Sequence, residues 1–148
     1  MGLKNVDSKS STRSEIVAPA QRDQVRAGQT LRWERTLTED EILRFMELSG
    51  DRGVHHREKD AEGRLLAHGL LTATLPTKLG GDLDYIARTM TFEFLKPVYA
   101  GDALTCLGVV DSVKPGRAFT RVSFSFTVTN QDSVLVMKGD SSGVIAVV

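Results

Sequence analysis

From Tyr85 to its end the chain's apolar residues recur at every second position, and this constrains the fold more than any other feature of the sequence. In "IARTMTFEFL", Met90, Phe92 and Phe94 alternate with Thr89, Thr91 and Glu93. In "AFTRVSFSFTVT", Val122, Phe124, Phe126 and Val128 alternate with Arg121, Ser123, Ser125 and Thr127. Successive side chains of a β-strand point to opposite faces, so a period of two belongs to a strand with one face buried. Two further runs, "ALTCLGVVDSV" and "SVLVMKGDSSGVIAVV", are fenced by turn residues at Ala100-Gly101-Asp102, Lys114-Pro115-Gly116-Arg117 and Asn130-Gln131-Asp132. The spacing predicts four long strands in an antiparallel meander, with Gly139 and Ser142-Gly143 marking a bulge or kink in the last.

Upstream the period changes. "TLRWERTL" is a short alternating run consistent with one more strand. Thr38 and Glu41 then form a T-x-x-E capping box, and Leu37 can staple onto Ile42. Ile42, Leu43, Phe45, Met46 and Leu48 recur at helical spacing, which predicts a helix burying that face and stopped by Gly50. In "HGLLTATLPTKLGG" the residues after Gly69 are apolar or small on nearly all sides, the mark of a buried helix. Pro76 must kink or end it, because the proline ring opposes the carbonyl four residues back.

The expected class is therefore α+β: one curved antiparallel sheet wrapped around a central apolar helix. Residues 1–28 are polar and aperiodic and are read as a flexible lead-in to a single domain over 29–148. The apolar rows of the sheet exceed what one short helix covers, so a homodimer or a higher even oligomer is expected. Nineteen basic residues balance nineteen acidic ones, which gives no field favouring nucleic acid or an anionic membrane. Six Phe, two Tyr and one Trp are too few for a base-stacking platform. No run approaches the roughly 18 apolar residues of a spanning helix. Cys106 is the only cysteine, which excludes an intramolecular disulfide and fits a cytoplasmic location; inside a strand pattern it reads as a small core residue.

The chemistry-bearing residues concentrate in "LSGDRGVHH", residues 48 to 56, with His68-Gly69 a little further on. Asp51 follows a helix C-terminus, where the macrodipole disfavours an anion, so the carboxylate either forms an Asx-type turn or has a chemical role. His55 is expected to point away from His56, as neighbours in extended backbone do, and His68 to fix the start of the next helix. Asp51, His55, His56 and His68 have metal-ligand types, but their spacings match no zinc pattern, and no metal is expected.

These pieces resemble the MaoC-like (R)-specific enoyl-CoA hydratase family, which has the hotdog fold. The resemblance rests on Phe45, Ser49-Gly50-Asp51, His56, His68-Gly69 and "FLKPVYAGD" from Phe94 to Asp102, and it covers about residues 32 to 147. The family signature's Asn-Pro is Gly53-Val54 here, and His55 is an additional imidazole. The resemblance implies hydration of trans-2-enoyl thioesters or the reverse dehydration, with coenzyme A or an acyl carrier protein as part of the substrate and no other cofactor. It makes Asp51 and His56 the catalytic pair on one water. Gly69 becomes the donor to the thioester oxygen, and Ser49 and Phe94 become substrate-binding residues. Two alternatives stay open. A hotdog thioesterase usually carries a carboxylate on or before the central helix, and Gly69 to Gly81 carry none. A non-catalytic acyl-thioester binder or structural subunit is favoured by the missing Asn-Pro.

Overall fold

The computed structural model describes residues 25 to 147. The elements follow as β1 (Thr30–Thr36), α1 (Glu39–Ser49), α2 (Val54–Arg57), α3 (Gly69–Thr72), α4 (Thr74–Gly81), β2 (Tyr85–Phe94), β3 (Ala103–Lys114), β4 (Phe119–Thr129) and β5 (Leu135–Ala146). The five strands form one antiparallel sheet in the order β1-β3-β4-β5-β2. The predicted meander therefore holds only for β3, β4 and β5. β2 lies beyond β5, and β1 takes the place beside β3. The physical reason is the link from Leu95 to Asp102, which is no tight turn. Its backbone crosses the strand ends: Leu95 N–H donates to the Val136 carbonyl, Ala100 N–H to Leu65, and Gly101 N–H to Leu37.

The bulge expected in β5 at Gly139 and Ser142-Gly143 falls elsewhere: β5 carries an extra residue at Val136, and β2 carries one between Ala87 and Thr89, opposite Gly143 and Ser142. Gly143 is required there: a Cβ on it would come within 2.2 Å of the Ile86 carbonyl oxygen. The alternation in β4 is realised as written, with Val122, Phe124, Phe126 and Val128 buried against the helices. Leu71, Leu75 and Leu79 of α3 and α4 meet Leu104, Cys106, Val128 and Met137 in the main core. Each such leucine contributes about 1.5–3 kcal/mol by leaving water.

α1 carries both halves of its capping box, and Gly50 closes it with φ of 76°. Leu37 and Ile42 are fully buried, as the staple requires. The buried face is narrower than its spacing predicts. Ile42 and Met46, one turn apart, are buried with Phe45 alongside, whereas Leu43 and Leu48 are 42% and 85% exposed. The helix touches the body along a single stripe. The central helix also departs from expectation. Pro76 neither ends nor kinks it at its own position; it lies in the first turn of α4, where a missing N–H costs nothing. The break falls at Ala73, beside the Thr72 carbonyl that Pro76 leaves without a donor. Nor is the segment apolar-buried all round, since Leu70 is exposed.

Val25, inside the expected lead-in, packs against the cluster of Leu83, Val110, Val122, Phe124 and Ile145. Gly28 N–H donates to the Val110 carbonyl at 2.8 Å. The rest of the expected lead-in, residues 1 to 24, lies outside the described residues. Among the described residues no helix is long and apolar enough to cross a membrane. β2 is an edge strand, and it leaves Ile86, Met90 and Phe94 exposed, with Leu95 just beyond.

Candidate active site

Three chain segments converge where α1 ends. Gly50 turns the chain out of α1, and the Asp51 N–H donates to Ser49 Oγ at 3.1 Å. Asp51 Oδ1 accepts the Gly53 N–H at 3.2 Å, so the Asx-type turn exists. It uses one carboxylate oxygen. The other, Oδ2, faces His56 Nε2 at 3.7 Å. That gap is too long for a hydrogen bond, but it lets one water oxygen touch both atoms. The structural and chemical readings of Asp51 hold together.

His56 is buried, and its Nδ1 lies 2.7 Å from the Leu66 carbonyl oxygen. A carbonyl only accepts, so Nδ1 carries a proton, and the ring is oriented with Nε2 facing Asp51. The Leu66 N–H donates to the His55 carbonyl at 3.3 Å, and the turn that precedes it is organised by Asp60. Its carboxylate accepts the Glu62 and Arg64 N–H groups and pairs with the Arg64 guanidinium, which lies over the Tyr99 ring. The Arg64 N–H bonds hold the Asp60 carboxyl below the usual carboxylate range. No sequence signal marks the Leu66 carbonyl; it is a backbone group and any residue supplies it.

The backbone at His55 and His56 is helical rather than extended, which overturns the expected divergence of the two side chains. Their rings meet edge to face with centroids 4.0 Å apart. His68 closes the other side, stacked on His56 at 3.5 Å and 17°. Its Nε2 donates to the Asp51 backbone carbonyl at 3.0 Å, so it secures the Asp51 turn as well as the start of α3. Among the described residues, His68 Nδ1 and Thr72 Oγ1 are buried without a partner. Both residues line the same cleft, so two polar atoms there await a water or a ligand.

Asp51, His56 and His68 offer ligand atoms within 4.8 Å of one another. The two imidazoles are nearly parallel, so their in-plane lone pairs do not converge on one point about 2 Å from each, as a zinc ion needs. As arranged, the set fits water better than a metal ion.

Gly69 opens α3, and a Cβ on it would come within 2.8 Å of the Phe94 ring. Glycine therefore keeps the first N–H groups of α3 accessible beside Phe94. α3 is only four residues long, so any contribution comes from local N–H groups and not from a long helix dipole. Ser49, Asp51, His56, Gly69 and Phe94, all singled out in the sequence, line one cleft of about 700 Å³. Ser49 also positions the turn: its Oγ accepts the Asp51 N–H, which leaves its own O–H to donate. Beneath α4 lies a second, apolar cavity of about 190 Å³, lined by Pro76, Thr77, Gly80, Tyr85, Met90 and Phe126 among others. Phe92, packed between Phe94 and Phe126, stands between the two spaces.

No protein-family model matches the sequence, and no curated protein matches it significantly. Solved structures match closely in shape. An (R)-hydratase from A. caviae involved in PHA biosynthesis is 23% identical with a TM-score of 0.72, over 80% of this chain and 96% of that one. An R-hydratase from Pseudomonas aeruginosa, in unliganded form, is 23% identical with a TM-score of 0.72, over 86% and 89%. A 3R-hydroxyacyl-ACP dehydratase complex from Mycobacterium tuberculosis is 20% identical with a TM-score of 0.64, over 80% and 96%. The chain has the hotdog fold, in the form that these (R)-hydratases and MaoC-like dehydratases have.

Proposed function

We propose that the protein catalyses (R)-specific hydration of trans-2-enoyl thioesters, and the reverse dehydration of 3-hydroxyacyl thioesters. The observation that carries this reading is the pairing of an oriented His56 Nε2 with Asp51 Oδ2 across 3.7 Å in a cleft. A water held by both loses a proton to the pair as its oxygen bonds to C3. The C2=C3 electron pair moves toward the thioester carbonyl, whose oxygen takes up charge beside the Gly69 N–H. The pair then returns a proton to C2, so protons and electrons balance and no redox cofactor is required. General acid–base help of this kind is worth about 100-fold to 10,000-fold, and one oxyanion donor about 3 kcal/mol. The acyl chain extends past Phe92 into the cavity beneath α4.

The thioester itself, on coenzyme A or a carrier protein, is inferred from the resemblance and from the shape of the cleft. The exposed Ile86, Met90 and Phe94 along the free edge of β2 support a homodimer joined there, with the partner bordering each cleft. Two of the similar structures are heteromeric complexes. The deciding measurement is loss of enoyl absorbance with trans-2-enoyl-CoA substrates of short and medium length, followed by chirality of the product. An (R)-3-hydroxyacyl product is expected. No turnover with any length, while acyl-CoA still binds, would favour the non-catalytic binder; a monomer in sedimentation would remove the edge-joined dimer.

A further inference from the structure

A second concave site lies on the outer face of the sheet, at the end away from the cleft. Arg88, Lys114, Arg117 and Arg121 line it, and no carboxylate does. Lys114 and Arg121 are directly opposed across β3 and β4. Like charges in that relation destabilise a strand pair. None of the four forms an ion pair with a described residue, whereas eight other lysines and arginines each pair with a carboxylate. Residues 1 to 24 hold four cations (Lys4, Lys9, Arg13, Arg22) against three carboxylates (Asp7, Glu15, Asp23), so they bring no net negative charge to it.

The floor of the site is equally specific. Ser112, Ser123, Ser142 and Thr89 stand in one row across four strands. Their hydroxyls pair at 2.6 Å, Ser112 with Ser123 and Thr89 with Ser142. The row lies two residues from the Lys114–Arg121 pair and therefore on the same face. Cations above a line of hydroxyls, in a neutral chain, suit a compact multiply charged oxyanion.

We propose that this pocket binds adjacent phosphate groups, and that its ligand is the nucleotide end of a coenzyme A thioester. The identity of the ligand rests on the thioester reading above; the binding of phosphate does not. The pocket and the cleft draw on opposite ends of β2 and β5, Arg88 and Ser142 against Phe94 and Met137. One chain therefore does not join them directly. Antiparallel pairing of two β2 edges would bring the Arg88 end of one copy beside the Phe94 end of the other, and a carrier passing round those strand ends, from the helix face of one copy to the outer face of its partner, would span both.

The test is titration calorimetry and thermal denaturation of the full chain with coenzyme A, inorganic diphosphate and pantetheine, in the native protein and in Lys114→Glu/Arg117→Glu. The native protein should bind coenzyme A and diphosphate and melt higher with either. The variant should lose about 10-fold or more in affinity for both and lose the melting shift, with pantetheine unaffected. The Lys114→Glu change sets opposite charges facing Arg121, so the unliganded variant should not melt lower; Arg121→Gln provides a second variant if it does. Equal affinity of native and variant proteins for coenzyme A overturns the proposal, and diphosphate binding without coenzyme A binding overturns the assignment to a thioester carrier. Charge-dependent coenzyme A binding in a protein that hydrates no enoyl thioester keeps this pocket and removes the hydratase reading.

Discussion

The two spaces beside α3 and α4 share a helix pair and a sheet, yet differ in kind. The cleft at Asp51 sets a polar cluster, Asp51, His55, His56, His68 and Thr72, into otherwise largely apolar walls, and two of its buried polar atoms have no partner among the described residues. The cavity beneath α4 is lined mostly by apolar side chains from regular elements, and its polar pair, Tyr85 and Ser141, is satisfied internally at 2.8 Å. Regular packing leaves an enclosed, largely apolar volume there. In the cleft, loop backbone supplies fixed acceptors, the Leu66 and Asp51 carbonyls, that orient the imidazoles carried by the short helix α2 and the start of α3.

The sharpest way to break the comparison is to remove the titratable pair. Asp51→Asn and His56→Ala should each lower hydration about 100-fold to 10,000-fold. The double variant should be scarcely worse than the worse single one, since both act on one water. His55→Ala touches only the edge of the His56 ring and should keep most activity. Normal turnover in His56→Ala with a dead His55→Ala would move the catalytic imidazole by one position. Leu75→Ala, in the core between the two spaces, should cost about 2–5 kcal/mol in chemical denaturation, with no selective effect on substrate length.

A smaller and more selective effect is expected from filling the cavity. A Cβ on Gly80 meets the Tyr85 ring at 3.1 Å, so Gly80→Leu obstructs the space beneath α4. It should lower kcat/KM for a medium-chain enoyl thioester about 10-fold relative to a short one. Equal loss on both lengths would show that the acyl chain does not enter there. The smallest expected effect is at Cys106, fully buried in the core, whose thiol burial pushes up from 9.0 to about 12. It should resist thiol reagents at pH 8 in the native protein and react only on unfolding. The raised value means its contribution to stability is complete below about pH 9 and is lost as pH climbs through about 12.

The departures from the family signature turn out to be linked. A Cβ at Gly53 would come within 2.9 Å of the His55 ring and 3.3 Å of Asp51 Oδ1. His55 can lie against His56 because position 53 is glycine. Neither residue alone signals this; the sequence shows an unexpected glycine and an extra histidine, and only the short helix at Val54–Arg57 brings them together.

Local rules sufficed wherever the relevant partners were near in sequence. The capping box at Thr38, the stop at Gly50 and the alternation in β4 each follow from hydrogen bonds or side-chain directions within a few residues. Asp51, His56 and Gly69 were singled out through the resemblance, and the fold brings all three to one cleft. Tertiary structure alone decided the rest. Strand order depended on how Leu95–Asp102 crosses the sheet, and the break at Ala73 on a carbonyl left free by Pro76. The proton on His56 Nδ1 depended on a backbone oxygen ten residues away. Those outcomes turn on which backbone groups find partners across the fold, and side-chain pattern does not encode that pairing.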